Sequence, residues 1–297
     1  MPLPYTATPI QQLLLPEAFR AGINILVKRE DLNHTHVSGN KWWKLKYNLE
    51  TALRQGHQTV LTFGGAYSNH IYATAAAANR LKLTSIGIVR GEETLPLNHT
   101  LSFANEQGMH VHYVSRETYR QKETSEFLGL LHDQFGSFYQ IPEGGTNLLA
   151  IQGVAEFARQ LTQEVRFDYV CLPVGTGGTM AGMIAGLEGA AEVIGISVLK
   201  NGAFLSGEVA GWLKKFSDIP YGKWRIETSY HHGGYAKHTP ELRALIEEMK
   251  TGHALPLDAV YTAKMVAGVR DLIRVGAFSK GSTVLLLHTG GLQGQYN

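Results

Sequence analysis

Short apolar segments alternate with amphipathic segments along almost the whole chain, and this alternation limits the folds that the sequence can adopt. The segments "QTVLTF" (58–63), "TSIGIVR" (84–90) and "EVIGISVL" (192–199) have the composition of buried strands. Between them, "IYATAAAANRLK" (71–82) and "LLAIQGVAEFARQLTQ" (148–163) have the composition of helices. Alternation of strands and helices predicts parallel sheets that are covered by helices on both faces. We therefore assign the chain to the α/β class.

The number of strands indicates more than one sheet. About ten segments have strand composition, which is many for a single open sheet. We expect two lobes, each an open, mostly parallel, twisted sheet flanked by helices. The chain is expected to cross between the lobes near Lys41–Lys46 and at "IPEGGTN" (Ile141–Asn147). These crossings predict a larger domain of residues 1–43 and 143–297 and a smaller domain of residues 44–142.

The composition argues against several classes of function. The formal net charge of the 297 residues is +2, which does not favour binding to nucleic acid or to an anionic membrane. No run of about 18 apolar residues is present, and the first residues lack the pattern of a signal peptide. The single cysteine, Cys171, excludes an internal disulfide, and the scattered histidines lack metal-ligand spacing. We expect a cytoplasmic protein without a metal site.

A glycine-rich turn in "LPVGTGGTMAG" (172–182) follows a predicted strand and opens the next helix. Its glycines let backbone amides point at an anion, and its threonine hydroxyls add donors. A dinucleotide would need an acidic residue after the following strand, where the chain has Leu199, Lys200 and Asn201. A single phosphate is favoured, while a nucleotide-dependent oxidoreductase and a turn without a ligand remain alternatives. The candidate phosphate-binding residues are Gly175, Thr176, Gly177, Gly178 and Thr179.

Three polar residues, Ser68, Asn69 and His70, follow the strand that ends near Gly64. Serine and asparagine are common helix N-caps, and capping alone would explain one of them. Three consecutive polar groups at the carboxyl end of a strand also suit a ligand carboxylate. We therefore predict that this cluster contributes to a binding site.

Further candidates lie in the second half of the chain. Tyr235 and Tyr261 each stand among small or glycine residues, although a lone tyrosine more often has a packing role. The tail "LLLHTGG" places Thr289 just after a predicted strand. Ligands of open α/β sheets bind at the carboxyl ends of strands, so Thr289 is a candidate ligand contact.

Lys41 follows a glycine turn in "VSGNKWWKL" and is followed by two tryptophans. It is either a solvated residue at a helix start or a lysine held in place for chemistry. Lys44 and Lys46, at later helical positions, are expected to be solvated. A fixed lysine, a phosphate cradle and a polar cluster together fit pyridoxal 5′-phosphate, whose aldehyde needs a lysine and whose phosphate needs a glycine-rich helix start.

The ordered blocks "SGNKWWK", "GGAYSNH", "IPEGGTN", "GTGGTMAG", "DAVYTAKMVAG" and "LLLHTGG" resemble the family of 1-aminocyclopropane-1-carboxylate deaminase and D-cysteine desulfhydrase. The resemblance covers nearly the whole chain. It implies a fold type II pyridoxal-phosphate enzyme, like the tryptophan-synthase β-subunit, with a larger cofactor-binding domain. It also implies a homodimer that acts on a small amino acid.

The resemblance implies four kinds of cofactor contact. Lys41 corresponds to the Schiff-base lysine, and Asn69 to the residue beside the phenolic oxygen of the cofactor. Thr289 corresponds to the partner of the pyridine nitrogen, and Gly175–Thr179 to the phosphate loop.

The resemblance also implies the catalytic and substrate contacts. Ser68 and His70 correspond to residues that meet the substrate carboxylate, together with Asn69. Tyr235 and Tyr261 correspond to the two active-site tyrosines, of which Tyr235 also contacts the substrate. The predicted catalytic residues are Lys41, Ser68, Tyr235 and Tyr261.

The expected reaction is β-elimination from D-cysteine or a related amino acid. In the deaminase branch, a glutamate typically occupies the place of Thr262 and a leucine that of Thr289, whereas this chain has threonine at both. Deamination of the cyclopropane substrate and an amino-acid racemase or deaminase remain the alternatives. Tyr67 and Tyr72 depart from the family pattern and are expected near the substrate.

Overall fold

The computed structural model describes residues 3–295, and within them the chain forms ten strands in two sheets. The strands are β1 (Ile10–Gln12), β2 (Asn24–Lys28), β3 (Thr59–Gly65), β4 (Thr84–Arg90), β5 (Met109–Val114), β6 (Tyr139–Ile141), β7 (Tyr169–Val174), β8 (Glu192–Ser197), β9 (Trp224–Glu227) and β10 (Thr283–Leu287). The helices are α1 (Pro16–Ala21), α2 (Asn40–Arg54), α3 (Asn69–Arg80), α4 (His99–Glu106), α5 (Arg116–Tyr119), α6 (Ser125–Phe135), α7 (Leu148–Glu164), α8 (Gly178–Leu187), α9 (Leu205–Phe216), α10 (Pro240–His253) and α11 (Thr262–Arg274).

The smaller sheet has the strand order β5-β4-β3-β6, and all of its pairings are parallel. Its central strands β3 and β4 are apolar because both of their faces are covered. On one face Phe63 and Ile88 pack against α6, which contributes Phe127, and on the other Val89 packs with Ile71 of α3. Burial on both faces explains why these strands appear in the sequence as continuous apolar runs.

The larger sheet has the strand order β1-β2-β10-β7-β8-β9. Its pairings are parallel except for β1, which pairs with β2 in antiparallel orientation. The prediction of an α/β fold with two mostly parallel sheets is confirmed. The domain boundaries at residues 43/44 and 142/143 stay a prediction. Within residues 3–295, no helix has the combination of length and apolarity that crossing a bilayer requires.

Helices α2 and α8 both pack against α7 so closely that glycine is needed at the contacts. A Cβ atom on Gly153 of α7 would lie 2.1 Å from the carbonyl oxygen of Trp43 in α2. A Cβ atom on Gly186 of α8 would lie 2.2 Å from the carbonyl oxygen of Ala155 in α7. Helix α7 therefore fixes the separation of α2 from α8, and both of these helices begin at the cavity described below.

Gly153→Ala is expected to destabilise the protein by about 1–3 kcal/mol, because the new methyl group must displace the backbone of α2. Gly211→Ala in α9 is the matched control, since a Cβ atom there meets nothing within 4 Å. Alanine at this helical position should be neutral or stabilising by about 0.5–1 kcal/mol. Urea unfolding of the cofactor-free proteins checks both, and equal unfolding midpoints for the two variants would contradict the packing argument.

Candidate active site

A cavity of about 550 Å³ lies where the carboxyl ends of strands from both sheets face each other. Loops and helix N-termini meet at this edge of parallel sheets, which is why ligands bind there. Every residue predicted for the site lines this cavity, except Gly178. The lining residues from that set are Lys41, Ser68, Asn69, His70, Gly175, Thr176, Gly177, Thr179, Tyr235, Tyr261 and Thr289. Their individual roles stay predictions.

The backbone at Gly39 explains the position of Lys41. Gly39 has a φ of +67°, and a Cβ atom there would lie 1.9 Å from the carbonyl oxygen of Thr289, so only glycine fits. The side-chain oxygen of the next residue, Asn40, accepts a hydrogen bond from Lys41 Nζ at 2.9 Å. Its amide nitrogen donates to Thr179 Oγ1 at 2.8 Å. Asn40 therefore connects Lys41 to the start of α8.

Burial changes the acid–base chemistry of Lys41. It lowers the pKa of the amine from 10.5 to about 8, while the negative charge of Asp258 acts in the opposite direction. A lysine with such a pKa is partly neutral near physiological pH, and the neutral amine is the form that attacks an aldehyde or accepts a proton.

Lys44 is a second buried lysine in the cavity, and the prediction that it is solvated is wrong. It is 2% exposed, and its Nζ donates to Thr146 Oγ1 at 2.9 Å. Thr146 Oγ1 in turn lies 2.7 Å from Thr176 Oγ1. Burial, followed by repulsion from Lys41, lowers the pKa of Lys44 well below 10.5. No carboxylate among the described residues forms an ion pair with this amine, so its position suits an anionic ligand.

The glycine-rich turn has the geometry of an anion cradle. Gly177, the residue before α8, has a φ of +79°, and a Cβ atom on Gly178 would lie 2.7 Å from Thr146 Cγ2. A Cβ atom on Gly175 would lie 3.2 Å from the ring of Tyr261. Because these residues are glycines, the backbone of the turn can lie close to Thr146 and to Tyr261. The ten-residue helix α8 starts at this turn and directs its positive end towards the cavity.

Ser68 both caps a helix and lines the cavity. Its Oγ accepts hydrogen bonds from the amides of His70 (3.2 Å) and Ile71 (3.3 Å) at the start of α3. These bonds use the oxygen lone pairs and leave the hydroxyl proton for another acceptor. The capping and binding explanations for Ser68 are therefore compatible.

His70 is 1% exposed, and its imidazole ring is uncharged. Burial, together with the charges of Lys41 and Lys44, lowers its pKa well below 6.5. Thr62 Oγ1 donates its one proton to the Ile141 carbonyl oxygen and lies 2.8 Å from His70 Nε2. Nε2 therefore carries the proton, and Nδ1, which has no partner within the described structure, is an acceptor. Contact of this ring with a substrate carboxylate stays a prediction.

The two tyrosines contact each other in the lining of the cavity. The rings of Tyr235 and Tyr261 make an edge contact, with centroids 6.0 Å apart and an interplanar angle of 77°. Burial raises the pKa of both phenols, and that of Tyr261 lies well above 10. Both are protonated at neutral pH and are proton donors. Lys264 Nζ donates to the Gly234 carbonyl oxygen at 2.6 Å, which holds the loop that carries Tyr235.

Asp258 is a buried carboxylate near the cavity, but its oxygens form hydrogen bonds with the residues that follow it in the chain. They accept hydrogen bonds from the amides of Val260, Tyr261 and Thr262, and from the hydroxyl of Thr262 at 2.7 Å. Thr262 is fully buried beneath this turn and does not line the cavity. Thr289, by contrast, lines it.

Three residues singled out from the sequence lie away from the cavity wall. Tyr72 was predicted to lie near the substrate, but it does not line the cavity, and its ring stacks on that of Phe103 with centroids 3.8 Å apart. Tyr67 is 60% exposed and is also absent from the cavity lining. Lys46 is half-buried in an ion pair with Glu156 at 2.5 Å. The expectation that both tyrosines lie close to the substrate is therefore wrong for Tyr72, while for Tyr67, which adjoins the lining residue Ser68, it stays a prediction.

A family model described as pyridoxal-phosphate dependent enzyme matches residues 2–290 of the chain. The chain belongs to this family. A putative 1-aminocyclopropane-1-carboxylate deaminase of Pyrococcus horikoshii is 33% identical, over 98% of this chain and 91% of the relative. A D-cysteine desulfhydrase of Klebsiella pneumoniae is 30% identical, over 91% of this chain and 87% of the relative. The crystal structure of an ACC deaminase homologue matches with a TM-score of 0.85 and 29% identity, covering 98% of this chain and 91% of the homologue.

These comparisons confirm the resemblance to the deaminase and desulfhydrase family, the fold type and pyridoxal phosphate as cofactor. The cavity of this pyridoxal-phosphate-dependent enzyme fits the cofactor, because a lysine of lowered pKa stands beside an anion cradle that includes a second buried amine. The relatives carry two different activity names, so the comparisons do not decide the substrate. The homodimer stays a prediction.

Sequence reasoning missed four polar residues around the site: Asn40, Lys44, Thr146 and Asp258. Lys44 lies three residues after Lys41, and this helical spacing places both on one face of α2, so the pattern was available. Thr146 lies within the quoted "IPEGGTN" block, but its contact with Lys44 depends on the packing of α2. The chain offered no local signal for Asp258, because an Asx turn is common before a helix.

The rate at which the cofactor-free enzyme captures pyridoxal phosphate should rise with pH and reach half of its maximum near pH 8. The reason is that only neutral Lys41 attacks the aldehyde, and burial lowers the pKa of this amine to about 8. Stopped-flow absorbance over a pH series measures the rate. Nα-acetyl-lysine in the same buffers is the control and should require a higher pH. A protein profile that follows the free lysine would contradict the lowered pKa.

Proposed function

We propose that the chain is a lyase that catalyses β-elimination of D-cysteine or a related β-substituted amino acid. With D-cysteine and one water, the products are pyruvate, ammonia and hydrogen sulfide. The observation that carries the proposal is the environment of Thr289 and Asp258. Thr289 lines the cavity, and the Asp258 carboxylate oxygens accept hydrogen bonds from the turn before α11.

The chemical reason concerns the pyridine nitrogen of the cofactor. When bound, pyridoxal phosphate supplies an electron sink for negative charge at the α carbon of the substrate. A carboxylate beside the nitrogen would keep it protonated and strengthen that sink, whereas a threonine hydroxyl does not hold a full positive charge there. A weaker electron sink is sufficient for the elimination of a good leaving group such as a thiol. Opening a cyclopropane ring requires a stronger electron sink.

The residues of the chain have distinct proposed tasks. Lys41 would hold the cofactor, and its neutral amine would accept the α proton of the substrate. Ser68 and the first amides of α3 hold the substrate carboxylate, because a hydroxyl proton and the positive end of a helix both favour an anion. Tyr261 donates a proton to the leaving sulfur, since its raised pKa keeps the phenol protonated.

Lys44 and the turn before α8 are proposed to hold the cofactor phosphate. Lys44→Met should weaken cofactor binding by roughly 10- to 100-fold, because a charge-assisted hydrogen bond to the phosphate is lost. Gly177→Asp should weaken it at least as strongly, by adding a negative charge and a side chain at φ +79°. Titration of the cofactor-free proteins, followed by absorbance, measures the affinity.

Lys46→Met is the matched control for Lys44→Met, because Lys46 belongs to the same helix and pairs with Glu156 outside the cavity. It should bind the cofactor as the unmodified protein does. Unchanged affinity in folded Lys44→Met and Gly177→Asp variants would show that the phosphate lies elsewhere.

Substrate assays decide between the two activities named among the relatives. We expect D-cysteine to yield sulfide and pyruvate, and 1-aminocyclopropane-1-carboxylate to be turned over at least 10-fold more slowly. Both substrates are assayed with one enzyme preparation, with L-cysteine alongside and Lys41→Ala as the inactive control. Comparable turnover of the cyclopropane substrate would favour the deaminase, and conversion of D- to L-amino acids without pyruvate would favour a racemase. Either result would overturn the proposal.

A further inference from the structure

The C-terminal turn reaches the active site through Gln293. After β10 the chain runs along the cavity wall at Thr289 and continues into a short 3-10 turn, Leu292–Gln295. This turn contacts α4 of the smaller sheet, so it bridges the two sheets beside the cavity. The Nε2 group of Gln293 donates a hydrogen bond to Oδ1 of Asn69, at the start of α3.

The side-chain amide of Asn69 has different surroundings at its oxygen and at its nitrogen. The oxygen, Oδ1, accepts the hydrogen bond from Gln293. The nitrogen lies against Gly291, where an added Cβ atom would come within 2.4 Å of Nδ2. No hydrogen bond from this nitrogen is found within the described residues, and Asn69 lines the cavity, so its N–H donors can serve a ligand there.

We propose that Gln293 is a positioning residue, which makes Asn69 present its amide nitrogen rather than its oxygen to the bound cofactor. The inference rests on the proposed contact between Asn69 and the phenolic oxygen of the cofactor. That oxygen carries negative charge, and it is stabilised by an N–H donor but repelled by a carbonyl oxygen. An amide can rotate by half a turn with little change in shape, so its orientation depends on what its partners donate and accept. In this structure the Gln293 side chain donates to the Asn69 oxygen, which leaves the Asn69 nitrogen for the cofactor.

Gln293→Glu tests the inference with a side chain of the same shape. A carboxylate accepts but does not donate, so the Asn69 amide should turn its nitrogen towards the introduced carboxylate and its oxygen towards the cofactor. With the N–H donor lost, the phenolic oxygen would carry more negative charge, and a proton on the Lys41 nitrogen would be held more tightly. The visible absorbance of the substrate-free holoenzyme should therefore titrate with a pKa about one unit higher.

Three further variants separate the causes. Gln293→Leu removes the donor without adding charge and should shift the titration in the same direction by a smaller amount. Asn69→Ala should raise the pKa as well, because the donor itself is lost. Gln163→Glu adds the same charge on the exposed surface of α7 and should titrate like the unmodified enzyme. Thermal unfolding of each holoenzyme verifies that the C-terminal turn still packs.

The outcomes are distinguishable. A shift in Asn69→Ala and in both Gln293 variants supports the inference. A shift in Asn69→Ala alone overturns it and leaves the proposed role of Asn69 intact. If Asn69→Ala titrates like the unmodified enzyme, the role of Asn69 fails, and the inference fails with it. None of these results depends on whether the holoenzyme prefers D-cysteine or another substrate, so the proposed lyase activity is tested separately.

Discussion

Helices α2 and α8 both pack on α7 at backbone-to-backbone distance, and the geometry of the active site follows from this packing. Glycine at positions 153 and 186 lets backbone of one helix touch backbone of the next, with no side chain between them. The start of α2 presents Lys41, and the start of α8 presents the glycine-rich turn. Because both helices are held against the same third helix, the amine and the anion cradle keep one separation. A single small ligand can then bridge them.

Burial then determines the chemistry of the groups that the helices present. Lys41 and Lys44 lie one turn apart in the same enclosed wall, and the charge of Lys41 makes the charged form of Lys44 less favourable. Burying two charged amines side by side costs free energy, unless an anion binds between them. In the proposed arrangement the phosphate of the cofactor is that anion, and the lowered pKa of Lys41 makes its amine reactive. Cofactor binding and catalysis would then both depend on the burial of these two amines.

The substrate preference that we propose depends on the residue that contacts the pyridine ring of the cofactor, which is Thr289 in our proposal. It does not depend on the number of carboxylates near the ring. Asp258 is close enough to influence the pKa of Lys41, yet its hydrogen bonds bind it to the start of α11. Thr289, and not Asp258, lines the cavity. In the proposed mechanism the electron sink is weaker because the turn before α11 engages the Asp258 carboxylate in hydrogen bonds.

The α/β class, the two sheets and the ligand class could be predicted from the amino-acid sequence, because buried strands, amphipathic helices and a glycine-rich turn leave local patterns. The strands β1, β2, β6 and β9 were not identified, since runs of three to five residues show little periodicity. The burial of Lys44, the packing of Tyr72 away from the site and the contact of Gln293 with Asn69 emerged only once the chain was folded. These facts depend on contacts between segments distant in the chain, and such contacts leave no pattern in either segment alone.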